Sequence, residues 1–129
     1  MGPMSRPLDI QPMEKWLIVL IALHSVAIGI VLLFFTRWGA ALGGWPETVP
    51  LFFARQGGIF HIVVAAGYLI EYFRYGGVTF LLVAKILAVA FLAGIMVAES
   101  DFSWTIPLSA LGDAIMALVV YVVHRRVAG

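Results

Sequence analysis

Ionisable side chains stand inside stretches otherwise too apolar for water, among them His24, Arg55, His61, Lys85 and Asp113. Such groups can pair as ions, relay a proton, ligate haem iron or hold a polar headgroup. Gln56, Tyr68 and Glu71 lie close enough in the chain to join them. Nucleophilic catalysis is poorly provided for, because no serine has a general base at a defined spacing and no glycine loop could cradle a phosphate. His24, His61 and His124 do not form a metal-ligand motif, and with no cysteine there is no disulfide and no thiolate site. Asp113 with His61 could do acid–base work only if geometry brings them together. The residue types lean away from an enzyme.

The elements that must carry these residues are four hydrophobic segments. Hydrophobic residues make up 63% and charged residues 12% of the 129-residue chain, about half the charged share of a soluble domain. The segments span residues 16–36, 50–73, 78–98 and 106–123, each near the roughly 20 residues that cross a 30 Å hydrocarbon core. The expected fold is all-α, an antiparallel up-down four-helix transmembrane bundle over residues 16–124. A tail over 1–15 and a short one over 125–129 flank it. The tail holds Pro3, Pro7 and Pro12 and reads as extended to about Met13. The first segment is too long for a signal-peptide core and reads as an uncleaved span. Trp16, Trp38, Trp45 and Trp104 all fall near predicted interfaces, where an amphipathic indole is most stable.

Loops between the segments set orientation. Gly39 to Val49 is the longest connection, with Thr48 as a cap and Pro50 in the first turn of the second span. Tyr75-Gly76-Gly77 makes a tight turn, and Glu99 to Thr105 an acidic one. Arg6, Lys15, Arg74, Arg125 and Arg126 collect on one side, against Arg37 and Arg55 on the other. Both termini are therefore expected in the cytoplasm. A net charge of +1 and no basic run give no reason to expect nucleic acid.

Buried charge needs a partner. An aspartate or lysine at mid-membrane costs about 2.5–3.5 kcal/mol, whereas each Leu, Ile, Val or Phe returns about 0.3–0.6. The third span has 12 such apolar residues and can carry Lys85 alone. The fourth is marginal with Asp113. Counting residues from the span ends places Arg55 about 8–9 Å and Asp113 about 10 Å below one boundary. That predicts an Arg55–Asp113 ion pair, with Gln56 or Ser109 filling spare hydrogen-bonding capacity. Glu71 is the expected partner of Lys85 if that lysine does not snorkel to the headgroups. Gly57, His61, Tyr68, Glu71 and Tyr72 share one helical face, as do Ser109, Asp113 and His124. Arg55, Gln56, His61, Tyr68, Lys85 and Asp113 thus form the candidate interior site. Small-residue series at Ala22, Ser25, Gly29 and at Ala90, Gly94, Ala98 predict close helix packing, as does Gly57-Gly58.

In architecture, over nearly its whole length, the chain resembles the small DoxX-like proteins and related four-span bacterial membrane proteins. Ala54-Arg55-Gln56-Gly57-Gly58 is its only motif-like segment, and no site residue is carried over. The resemblance implies an accessory or small-ligand role in a bacterial inner membrane. Three functions remain open from the residues. A non-enzymatic bundle could take a lipid, quinone or other apolar molecule and join a homo-oligomer or larger membrane complex. His24 and His61 could ligate a b-type haem, although counting places them about 8 Å apart in depth. Asp113, His61, Lys85 and Glu71 could conduct protons or a solute.

Overall fold

The structure is a computed structural model in which residues 10–45 and 51–128 are described. Four long helices, α1 (Ile10–Phe34), α3 (Leu51–Ile70), α4 (Thr79–Ala98) and α5 (Thr105–Ala128), are joined by a short α2 (Thr36–Leu42) and a π-helical turn, Glu71–Tyr75. The described residues contain no strand. Four stretches, Pro12–Phe34, Leu51–Tyr75, Thr79–Ala98 and Thr105–Val127, are long and apolar enough to cross a membrane. The architecture is that of a four-span, all-helical membrane protein.

The first span begins earlier than its hydropathy indicated, since α1 is already helical at Ile10 with Pro12 in its first turn, where the missing N–H does no harm. The connection after it is also more ordered than its glycines suggested. The chain bends at Phe35 (φ −124°, ψ 42°) and continues as α2. At the bend the Thr36 hydroxyl donates to the Leu32 carbonyl, a back-bond that commonly bends helices. Thr48 and Pro50, the expected cap and first-turn proline, lie outside the described residues, as do Arg6 and the start of the tail. The turn at Gly76 forms as expected, with left-handed φ 66° suited to glycine.

The helices form a ring of two hairpins. α1 packs closely on α3, and α4 on α5; α1 meets α5 along a shorter seam, and α3 meets α4 least. α3 and α5 therefore stand diagonally across the bundle. Between α1 and α3 the backbones approach so closely that a Cβ on Gly29 would lie 2.6 Å from the Gly58 carbonyl oxygen. Small residues permit the van der Waals packing that holds helices together where lipid removes the hydrophobic drive. The α4 series Ala90, Gly94 and Ala98 faces outward instead, with open space around Gly94.

Packing is uneven along the bundle axis. At the end bearing both termini, Ile18, Ile21, Ala22, Ala65, Tyr68, Leu81 and Val120 make a continuous core. Glu14 and His124 join α1 to α5 there, with Nδ1 and Oε2 3.1 Å apart. Glu71 caps α4 by accepting from the N–H groups of Thr79 (2.6 Å) and Phe80 (2.9 Å). At the opposite end the Gly43 carbonyl accepts from Ser103 and, at 3.3 Å, from Thr105. These bonds strap the segment after α2 to the start of α5. Between the packed end and the strap the hairpins leave a space.

Candidate functional site

That space is a cavity of about 690 Å3 walled by all four long helices. α3 contributes Gly57, Phe60, His61, Val64 and Tyr68, a helical stripe at intervals of three and four residues. α1 contributes His24, Ser25 and Ile28 from the face that also packs on α3. Lys85, Ala88 and Phe91 line it from α4, and Ser109, Gly112, Asp113 and Met116 from α5. Most of the wall is apolar. Its polar groups cluster toward the packed end, where Tyr68 and Lys85 belong to the floor.

At that floor Lys85 Nζ donates to Asp113 Oδ1 at 2.9 Å. The pair is well buried, with side chains 7% and 16% exposed. The ammonium also lies 5.9 Å from the centroid of the Tyr68 ring, within range of a cation–π attraction. The expected Arg55–Asp113 pair is not formed, and the reason is angular. Residue 55 is two positions before Gly57, about 200° around α3 from the cavity stripe. Arg55 and Gln56 are accordingly exposed and do not line the cavity. Asp113 takes its cation from α4, its immediate neighbour, instead of from the diagonal α3. The expected Glu71–Lys85 pair is replaced as well, because the Glu71 carboxylate is engaged at the N-terminus of α4.

Of the six residues proposed for the interior, His61, Tyr68, Lys85 and Asp113 meet at one cavity. His24 and Ser109 reach it too. Ser25 was visible in the sequence only as a small residue, yet it lines the cavity and is just 3% exposed. Gly112 had no sequence argument behind it beyond its place beside a membrane-embedded aspartate. Gly57 and Gly112 share one property: a Cβ at either would meet nothing within 4 Å. The adjacent Gly58 is the opposite case, 2.8 Å from the Gly29 carbonyl. One glycine of the pair seals two helices together and the other keeps the cavity wide.

The hydrogen-bonding inventory of the cavity is incomplete. Ser25 and Tyr68, each 3% exposed, have hydroxyls without a hydrogen-bond partner among the described residues. The half-buried His61 and the exposed His24 also have none, and Asp113 engages only Oδ1. Buried polar groups in folded proteins are overwhelmingly satisfied, and an unsatisfied one in a membrane interior is expensive. Groups left open around an apolar cavity are suited to receiving water or a ligand headgroup. Among the described residues no three metal-binding side chains come together. No family model, no curated protein and no solved structure matches the chain. What the site can do rests on its own geometry.

Proposed function

We propose that this protein is a non-enzymatic membrane bundle that binds an amphipathic molecule from the bilayer, such as a lipid or a quinone, in the cavity between its hairpins. The observation that carries this is the convergence of Ser25, His61 and Tyr68, whose hydroxyls and imidazole have no hydrogen-bond partner among the described residues, on an apolar space of about 690 Å3. That volume lies within the range of small-molecule sites, which likewise combine apolar walls with a few convergent polar groups. The loose α3–α4 seam, flanked by Phe60 and Phe91, offers a sideways route from lipid. The packed core beneath the floor speaks against a continuous conduction path.

The resemblance to DoxX-like proteins, resting on architecture alone, would add an accessory role in a bacterial inner membrane. The bias of Lys15, Arg74, Arg125 and Arg126 toward one end supports cytoplasmic termini. The outward Ala90–Gly94–Ala98 series is where we would place contact with a second copy or a larger complex. A b-type haem is the second reading, favoured by one observation: His24 and His61 line the same cavity. Protein loaded with haem and lacking a Soret shift on His61→Ala would end it.

The test is lipid mass spectrometry on purified protein beside Gly57→Leu, which fills the cavity without meeting a neighbour at Cβ. Wild type should retain a stoichiometric apolar molecule that the variant loses. Equal retention by both would refute cavity binding.

A further inference from the structure

We infer that the cavity selects an electrically neutral headgroup, one bearing hydroxyl or carbonyl oxygens, and excludes carboxylate and phosphate lipids. This rests on the cavity being a ligand site and names the class of ligand. Besides the imidazoles of His24 and His61, its lining contains one cation and one anion, Lys85 and Asp113, already joined at 2.9 Å. An anionic headgroup has no other lysine or arginine to meet in the cavity wall. To be neutralised it must draw Lys85 away from Asp113, which strands a buried carboxylate beside the incoming anion. A cationic headgroup faces the mirror problem at Lys85. The pair thus works against either sign of charge, as unpaired or like charges do in specific sites.

What the cavity offers beside that pair is hydroxyl and imidazole. The hydroxyls of Ser25 and Tyr68 can each donate or accept, and the imidazoles of His24 and His61 can do both through their two nitrogens. Ser25 and His24 come from α1 and His61 and Tyr68 from α3, with the Tyr68 ring beside the Lys85 ammonium. A glycerol ester, a long-chain alcohol or a quinone-like ring would satisfy these groups and leave Lys85 and Asp113 together. Phe60, Val64 and Phe91 then line the path of the hydrocarbon chain.

The experiment compares three probes with one oleoyl chain: monoolein (uncharged), oleate (carboxylate) and oleoyl lysophosphatidate (phosphate). Binding is measured by native mass spectrometry in a maltoside at neutral pH. Wild type should bind monoolein at least about tenfold more tightly than either anion. Asp113→Asn frees the Lys85 charge and should strengthen oleate binding by about tenfold, with monoolein changed less than about threefold. Should Asp113→Asn fail to fold, the double variant Lys85→Gln/Asp113→Asn serves: it should keep monoolein and gain no anion affinity. An anion binding wild type as tightly as monoolein, with Gly57→Leu abolishing both, would overturn neutral selection while leaving the cavity a ligand site. No difference between wild type and Gly57→Leu for any probe would overturn the ligand site itself.

Discussion

Removing either member of the Lys85–Asp113 pair should be far more damaging than removing both. At 2.9 Å and an effective dielectric constant of about 20, the gross attraction is about 6 kcal/mol. Taking both charges out of water consumes most of that, so the pair adds little net stability over apolar side chains. A single truncation is different, because Lys85 at 7% exposure cannot recover its hydration when Asp113 is lost. Asp113→Ala and Lys85→Ala should each destabilise by about 3–5 kcal/mol. Independent effects would sum to about 6–10 kcal/mol in a double variant, enough to prevent folding. Lys85→Met/Asp113→Leu should instead fall within about 1 kcal/mol of wild type. Reversible unfolding in mixed dodecyl maltoside and SDS micelles, followed by circular dichroism, measures all three. Single variants within about 1 kcal/mol of wild type would show that cavity water solvates the charges and that the pair is not what keeps α5 in place.

Three further outcomes follow from neighbouring geometry. Gly57→Ala should stabilise by about 0.5–1 kcal/mol through its helix preference, whereas Gly58→Val should destabilise severely, its Cβ driven to 2.8 Å from the Gly29 carbonyl; melting temperatures in detergent separate the two. Glu71→Gln weakens the charge-assisted bonds to the Thr79 and Phe80 N–H groups and should cost about 1 kcal/mol, seen as faster hydrogen exchange in the first turn of α4. His124→Ala leaves Glu14, its side chain 4% exposed, without its imidazole and should cost about 1–3 kcal/mol; adding Glu14→Leu should restore part of the loss in the same unfolding assay.

Hydropathy located the four spans because the bilayer imposes their length, and residue identity alone satisfied that constraint. It missed α2 because Gly39, Gly43 and Gly44 resemble loop residues, while the helix between Thr36 and Leu42 is held by its bend and its strap to Ser103. The site was half legible. The α3 stripe of Gly57, His61 and Tyr68 follows from helical spacing and does line the cavity. The partner of Asp113 did not follow, because residue rise gives depth and nothing else. Arg55 matched Asp113 in depth but points about 200° away from the Gly57 stripe, on a helix diagonal to α5. Which helices are adjacent in the ring is set by tertiary packing, and the Gly29–Gly58 approach that fixes it involves residues 29 positions apart.

Lys85 and Asp113 sit on consecutive helices, and this bears on how the protein is made. An α5 emerging alone from the insertion machinery would present a naked carboxylate to oil. Leaving together with α4, it travels as half of a dipole whose ends already touch. The second hairpin therefore has reason to partition as one unit, with the short 99–104 turn keeping the two halves within reach during synthesis.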